Sequence, residues 1–190
     1  QIKTYLCFFN KEKLMNFKKN LVFVGMMGSG KSSIGYLVSK KLNLVFVDID
    51  DLIEKKIGMT ISEIFKLKGE DYFRSIEETI TLKILKSISG VVSLGGGGFI
   101  NNKIRKEVII KHFSFWLNSD ESIMLKRIKS TKKRPIALQS TDQEIKQLIK
   151  SRSKIYSKAQ FKINCNKLPK TEIVKKIIKL YELNQTTSKN

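Results

Sequence analysis

Short apolar runs alternate with amphipathic helical segments along most of this chain, and this alternation restricts the fold more than any other feature. Runs rich in β-branched and aromatic residues predict buried strands at residues 21–24, 44–47, 91–94, 113–117 and 161–164. A segment with helical spacing of apolar residues follows each of them. Strands that alternate with helices form βαβ units. The sequence therefore predicts an α/β fold, with a parallel sheet in a single three-layer domain and helices on both faces.

The length of 190 residues suits one domain, and we find neither an internal repeat nor a dividing linker. We assign the domain to residues 20–183, after an extension at residues 1–19 that we expect to be disordered and before a polar tail at 184–190. Cys7 and Cys165 belong to no CxxC pair, which argues against a zinc site and for a reducing compartment. Because no run of 18 apolar residues occurs, we expect a cytoplasmic protein without a membrane span.

The chain is strongly basic, with a formal net charge of +20. Residues 122–190 carry 18 Lys and Arg against 4 Asp and Glu, so the positive charge is concentrated in the last third. Such a field suits nucleic acid, a membrane surface or a small polyanion, and charge alone does not choose among them. Solvated surface lysines in a chain rich in Lys, Ile and Asn are the simpler explanation.

Residues 25–32, GMMGSGKS, fit the pattern G-x-x-x-x-G-K-[ST] between a predicted strand and a predicted helix. Glycines let backbone N–H groups surround a phosphate chain, and the start of the helix adds positive potential. Lys31 would reach the β- and γ-phosphates, and the Ser32 hydroxyl would contact Mg²⁺. The other residues expected to bind ATP here are Gly28, Ser29, Gly30 and Ser33. The motif predicts a nucleoside triphosphate and leaves the acceptor open.

Three carboxylates, Asp48, Asp50 and Asp51, follow the second predicted strand. Alternation along the strand would put Asp48 and Asp50 on one side at the carboxyl edge of the sheet, where open α/β folds bind ligands. One of them could hold Mg²⁺ through water, and the other could take the proton of an attacking hydroxyl. We assign the cap of the next helix to Asp51 and keep Asp48 and Asp50 for chemistry.

Four consecutive glycines, residues 95–98, follow the third predicted strand. Such a run costs backbone entropy, and it makes sense where a substrate approaches main-chain N–H groups. Arg74 and Arg152 would be solvated helix residues on composition alone, although a chain this rich in Lys could keep Arg for a bidentate grip. We expect His112 to be a surface residue and Trp116 to lie in the core.

Together these motifs resemble the shikimate kinase family. The resemblance covers residues 21–183 and rests on the phosphate loop, the Asp48-x-Asp50 pair, residues 73–78 (FRSIEE), Leu94 with the glycine run, and Arg134-Pro135. It implies transfer of the γ-phosphoryl group of ATP to the 3-hydroxyl of shikimate, with Mg²⁺, on the way to chorismate and the aromatic amino acids. It also implies a P-loop kinase fold with strand order 2-3-1-4-5 and a mobile lid at residues 130–140. The expected partners are ATP and shikimate, bound by a monomer without nucleic acid or membrane.

The resemblance also implies roles for individual residues. Asp50 would hold the acceptor hydroxyls and act in catalysis with Lys31 and Arg134. The backbone of Gly96 and Gly97 would contact the ring hydroxyls. Arg74 and Arg152 would bind the acceptor carboxylate, and Ser32 and Asp48 would hold magnesium. Arg127 would lie against adenine, and Arg134 would reach the phosphates.

The chain departs from the family pattern at three places, and two other functions remain open on sequence. Ile49 stands where Thr is common, Gly98 replaces a usual Ala, and residues 164–166 (NCN) replace an adenine loop that often carries Asp. One alternative is a kinase of the same fold with another small acceptor, such as gluconate. The other is an ATP-dependent nucleic-acid-binding protein, suggested by the net charge but without interleaved aromatic platforms.

Overall fold

A computed structural model describes residues 19–129, 140–166 and 168–186. The predicted lid lies outside these ranges except for residue 140, and so does Arg134. Most of the extension predicted at residues 1–19 and residues 187–190 of the predicted tail also fall outside them.

The described chain contains five strands and eight α-helices, with one or more helices after each strand. The strands are β1 (Leu21–Val24), β2 (Val45–Asp48), β3 (Gly90–Ser93), β4 (Phe113–Asn118) and β5 (Phe161–Asn164). The helices are α1 (Lys31–Leu42), α2 (Ile49–Ile57), α3 (Ile61–Lys68), α4 (Glu70–Ser87), α5 (Asn102–Lys111), α6 (Glu121–Lys129), α7 (Asp142–Tyr156) and α8 (Lys170–Thr186). A short 3₁₀ turn, Gly98–Ile100, precedes α5. Each predicted strand is present, with bounds that differ by at most one residue.

The sheet has the order β2-β3-β1-β4-β5, and all four strand pairs are parallel. The predicted order 2-3-1-4-5 is therefore confirmed. Parallel pairing brings the carboxyl ends of all five strands to one edge. In register, Asp48 of β2 lies beside Ser93 of β3, and Phe23 of β1 lies on the other side of Ser93. The phosphate loop, the carboxylates and the glycine run thus leave the sheet at neighbouring positions.

The sheet separates two apolar cores, as strands buried on both faces require. Along β1, Leu21 and Phe23 face one core, which α1 and α8 cover, while Val22 and Val24 face the other, which α2 to α7 cover. Trp116 belongs to the second core with 6% of its surface exposed, as predicted. None of the described helices is both long and apolar enough to cross a membrane.

Capping boxes start two of the helices. The Thr60 hydroxyl accepts a hydrogen bond from the N–H of Glu63, and the Glu63 carboxylate accepts one from the N–H of Thr60 at 2.7 Å. Thr141 and Glu144 repeat this arrangement at α7. Both boxes have the Thr-x-x-Glu spacing typical of such caps, and they satisfy N–H groups that would otherwise lack partners at the helix start.

His112 is not the surface residue that the sequence predicts. It is half-buried between α5 and β4, and its Nδ1 accepts a hydrogen bond of 3.3 Å from Asn20 N–H. Asn20 in turn bonds Leu85 O at 2.9 Å and Gly90 N–H at 2.8 Å, so His112 completes a polar cluster at the start of β1. Burial, with Lys111 and Lys19 acting in the same direction, lowers the pKa of His112 to about 4.

Acid should therefore weaken the fold through His112. The folded state keeps the ring neutral down to a pKa of about 4, whereas the unfolded chain protonates it at about 6.5. Because the unfolded state binds the extra proton between these values, stability is fully present above pH 6.5 and declines as pH falls towards 4. We expect a loss of about 1 kcal/mol between pH 7 and pH 5, after allowance for partial solvent access.

Urea unfolding at several pH values would measure this loss, with His112→Gln as the comparison. Glutamine keeps an acceptor for Asn20 N–H but does not titrate. Between pH 7 and pH 5, the free energy of unfolding of His112→Gln should fall by about 1 kcal/mol less than that of the wild type. Equal pH slopes in the two proteins would exclude His112 as the cause.

Candidate active site

The phosphate loop, residues 25–30, connects β1 to α1 at the carboxyl edge of the sheet. Gly28 and Gly30 have φ angles of 77° and 92°, which glycine adopts without strain. A Cβ on Gly25 would lie 2.8 Å from the carbonyl oxygen of Leu117, so the close approach of β4 also requires glycine. Gly30 occupies the N-cap of α1 without a side-chain cap, an arrangement that suits anion binding by the first N–H groups of the helix.

Lys31 folds back over this loop. Its side chain is 7% exposed overall, and Nζ donates to the carbonyl oxygens of Gly25 at 2.9 Å and Met26 at 3.0 Å. The ammonium group is thereby held beside the backbone that would surround a phosphate chain. Ser32 is exposed at the start of α1, and Ser33 Oγ accepts a hydrogen bond of 2.7 Å from Lys170 Nζ of α8. A second lysine thus lies at the same helix end.

The carboxylates after β2 are arranged differently from the sequence-based expectation. β2 ends at Asp48 and α2 begins at Ile49, so Asp50 lies in the first helical turn and not on an extended strand. Asp48 is the N-cap, with Oδ1 accepting from the N–H groups of Asp50 at 3.0 Å and Asp51 at 3.5 Å. The assignment of the cap to Asp51 is wrong, because only the extended residue before the helix can turn its carboxylate onto those N–H groups.

The glycine run packs tightly against charged side chains from α2 and α4. A Cβ on Gly95 would lie 2.4 Å from Asp50 Oδ1 and 2.7 Å from Glu77 Oε1. A Cβ on Gly97 would lie 2.3 Å from Arg74 Nη1, although the φ of −98° and ψ of −17° at Gly97 are open to any residue. A Cβ at either position would therefore displace these side chains, whereas the turn at Gly97 does not itself need glycine.

Arg74 is held by two carboxylates of its own helix. Its Nη1 donates to Glu77 Oε2 at 2.7 Å, and its Nε and Nη2 donate to Glu70 Oε1 at 3.1 and 3.0 Å. The guanidinium carbon lies 5.1 Å from the ring centre of Phe73. These contacts fix a planar cation beside Gly97, which suits a carboxylate ligand.

Glu77 is the most deeply buried charged group of the site, with 2% of its surface exposed. Burial raises its pKa, while the neighbouring charges of Arg74 and Arg152 oppose this shift and favour the carboxylate. Burial alone would lower the pKa of Arg74, but Glu77 and Glu70 together raise it above its ordinary value. Glu77 Oε1 is buried and has no hydrogen-bond partner within the described ranges. Glu77 and Glu70 thus favour the charged form of Arg74 in a partly buried position.

Helix α7 reaches the glycine run through two side chains. Arg152 Nη1 donates to the carbonyl oxygen of Gly96 at 3.3 Å, and the Tyr156 hydroxyl donates to the same oxygen. The structure therefore brings together Asp50, Arg74, Arg152 and the glycine run, all of which the sequence nominated. The glycine run also lies against the phosphate loop, since a Cβ on Gly96 would lie 3.3 Å from Met27 N.

Comparisons with known proteins agree with this arrangement. The family model described as shikimate kinase matches residues 27–182. A shikimate kinase of Thermodesulfovibrio yellowstonii is 41% identical over 165 residues, which cover 86% of this chain and 95% of that protein. The chain belongs to the shikimate kinase family.

Solved structures of shikimate kinases have the same fold. The enzyme from Acinetobacter baumannii, in complex with shikimate, has a TM-score of 0.83 and 29% identity, covering 90% of this chain and 97% of that one. The enzyme from Aquifex aeolicus has a TM-score of 0.75 and 33% identity, covering 88% and 98%. The likeness to shikimate kinases thus covers nearly all of the described chain.

Arg127 and residues 164–166 are the ones expected near adenine. Arg127 of α6 donates to Gly28 O at 3.4 Å and so contacts the phosphate loop, while its contact with adenine stays a prediction. In the variant adenine loop, Asn166 accepts from Asp120 N–H at 2.8 Å, and Cys165 N–H bonds Asn118 O at 2.8 Å. Burial raises the pKa of the Cys165 thiol to about 11, so the thiol stays neutral.

Three residues of the candidate site were not among those predicted from the sequence. Glu77 lies three residues after Arg74, Tyr156 lies four after Arg152, and Lys170 approaches from α8. The first two could have been found from helical spacing, since residues three or four apart share a face. No sequence signal connects Lys170 with Ser33, because 137 positions separate them.

Proposed function

We propose that this protein transfers the γ-phosphoryl group of ATP to the 3-hydroxyl of shikimate. The observation that carries the proposal is the convergence of Asp50, Arg74 and Arg152 on the glycine run beside the phosphate loop. An acceptor that bears both hydroxyl groups and a carboxylate matches this set. Its hydroxyl groups can bond the Asp50 carboxylate, and its own carboxylate can bond the guanidinium groups of Arg74 and Arg152. Membership in the shikimate kinase family favours shikimate over gluconate.

In the proposed reaction, the protein forms no covalent intermediate and acts mainly by positioning the reactants and neutralising charge. The acceptor oxygen forms a bond to the γ-phosphorus while the bond from that phosphorus to the β,γ-bridging oxygen breaks. The hydroxyl proton passes to the Asp50 carboxylate as the acceptor becomes acidic. Lys31 neutralises charge on the transferred group from its position over the loop, and Arg134 is proposed to add a second positive charge.

The polar groups at the end of β2 and the start of α1 fit a magnesium ion carried by ATP. Only one oxygen of Asp48 is used for capping, and the buried hydroxyl of neighbouring Ser93 has no partner in the described part of the chain. Mg²⁺ commonly takes one or two protein oxygens together with phosphates and waters. Accordingly, Ser32 and Asp48 suffice, although the described residues contain no cluster of three metal-binding side chains. When bound, Mg²⁺ neutralises the β- and γ-phosphates.

Asp48→Asn should raise the magnesium requirement without unfolding the protein. Asparagine caps helices as well as aspartate does, so α2 should keep its start. Loss of a carboxylate that supports the metal typically costs about tenfold or more in metal affinity. Initial rates as a function of Mg²⁺ at fixed ATP would measure the change, with Asp51→Asn as the control. The same half-saturating Mg²⁺ concentration in the wild type and Asp48→Asn would remove Asp48 from the metal site.

ATP turnover with and without shikimate tests the proposed function. We expect ADP formation to depend on shikimate and a phosphorylated product to accumulate in equal amount. Gluconate in place of shikimate tests the same fold with another acceptor. Salt-sensitive binding to DNA without turnover of any small acceptor would instead favour the nucleic-acid alternative.

We further propose that the enzyme acts as a cytoplasmic monomer. The thiol of Cys165 is buried and unpaired with another cysteine among the described residues, which fits a reducing compartment. Sedimentation of the purified protein tests the monomer, since a dimer would double the expected mass of 21.9 kDa.

A further inference from the structure

Tyr156 is a buried tyrosine whose hydroxyl bonds the glycine run rather than solvent. Its side chain is 1% exposed, and its ring lies 6.2 Å from that of Trp116 in the core beneath the site. The hydroxyl donates to the carbonyl oxygen of Gly96, the same atom that Arg152 approaches at 3.3 Å. Two donors from one helix therefore hold a single peptide group of the run.

The orientation of that carbonyl determines where the next N–H group points. The described chain contains no cis peptide bond, so the Gly96 carbonyl and the Gly97 N–H point in opposite directions. With the carbonyl turned towards α7, the Gly97 N–H faces away from α7. Among the described residues, neither Gly96 nor Gly97 donates its N–H to a protein acceptor. These amides therefore remain for a ligand.

We propose that Tyr156 is a positioning residue that fixes the Gly96–Gly97 peptide and so directs the Gly97 N–H at the hydroxyl groups of the acceptor. The inference rests on the proposed function, because the acceptor is the one proposed above.

Arg152 alone would not hold this peptide once the acceptor is bound. Its guanidinium is proposed to turn towards the acceptor carboxylate, and its bond to Gly96 is already long at 3.3 Å. A peptide between two glycines has unusually many accessible conformations, so a second anchor has a real ordering role. Burial raises the pKa of Tyr156 to about 12, and the hydroxyl consequently remains a donor throughout the neutral range.

The test is Tyr156→Phe, which removes the hydroxyl and keeps the ring packed on Trp116. Tyr181→Phe is the matched control, because Tyr181 is also buried, stacks edge-on against Phe113 and lies in the core on the other face of the sheet. We expect Tyr156→Phe to raise the KM for shikimate roughly three- to tenfold, the loss typical of one buried hydrogen bond. The KM for ATP should stay within about twofold, and Tyr181→Phe should leave both constants unchanged.

A second measurement needs no activity. In protein labelled with ¹⁵N-glycine, the Gly97 amide signal should shift in Tyr156→Phe and not in Tyr181→Phe, with no substrate present. If the wild type does not phosphorylate shikimate, the proposed function fails, and the amide shift still decides whether Tyr156 orients the peptide. An unmoved Gly97 amide, an unchanged KM for shikimate, or an equal rise in both KM values would overturn the inference.

Discussion

Asp50→Asn should lose on the order of 10²–10⁴ in turnover, the range expected when a positioned base is removed. Asp50 stands in the first turn of α2, with Oδ1 packed against Gly95 at the point where the acceptor would lie. Its carboxylate can hold the attacking hydroxyl in line with the γ-phosphorus and take its proton late in the reaction. Asparagine has the same shape but cannot take the proton. The loss should therefore appear in turnover, while ATP affinity remains near that of the wild type.

Asp51→Asn is the control for this experiment. Asp51 is the next carboxylate in the same helical turn, but it is exposed and lies apart from the glycine run. Both variants leave the Asp48 cap in place, so both should melt near the wild-type temperature. Turnover by Asp50→Asn within about threefold of the wild type would be too small a loss for general-base catalysis. Asp50 would then be only a carboxylate at a helix start.

Arg74→Lys should weaken shikimate binding by about tenfold or more, the scale of a lost charged hydrogen bond. Lysine keeps the charge but cannot make a two-pronged contact with a carboxylate while also bonding Glu77 and Glu70. The change should appear in the KM for shikimate, with the KM for ATP little altered. Arg152→Lys should act in the same direction, since it is the second guanidinium at the run.

Arg105→Lys provides the comparison for these variants. Arg105 is also close to the run, but its guanidinium bonds the carbonyl oxygens of Phe99 and Ile100, at 3.1 and 2.7 Å. A loss of shikimate affinity in Arg105→Lys equal to that in Arg74→Lys would indicate general loosening of the loop. Wild-type affinity in both Arg74→Lys and Arg152→Lys would make these two residues structural and would remove the main support for shikimate as acceptor.

The sequence predicted the strands, and it selected Asp50, Arg74 and Arg152, which the structure brings together at the glycine run, but it misplaced a helix cap. Apolar runs locate buried strands well, but β2 extends one residue further than predicted, to Asp48, and this residue rather than Asp51 caps the next helix. The strand order came from the family resemblance, because periodicity does not contain it. His112 was misjudged because its partner, Asn20, is 92 positions away. Local sequence patterns also do not predict contacts that depend on how a helix packs onto a loop, such as those of α7 with Gly96.

The tight packing of the glycine run has an evolutionary consequence. At Gly95 and Gly97 even a methyl group would meet Asp50, Glu77 or Arg74 of the proposed acceptor site, so we expect substitution to damage activity more than folding. Elsewhere the chain strongly favours lysine over arginine, with 32 Lys and only 5 Arg. Glycine codons begin with two guanines, and any change to either base adds a side chain or ends translation. A change at either of these bases that leaves the chain complete would therefore place a side chain against Asp50, Glu77 or Arg74, whatever the base composition of the rest of the gene.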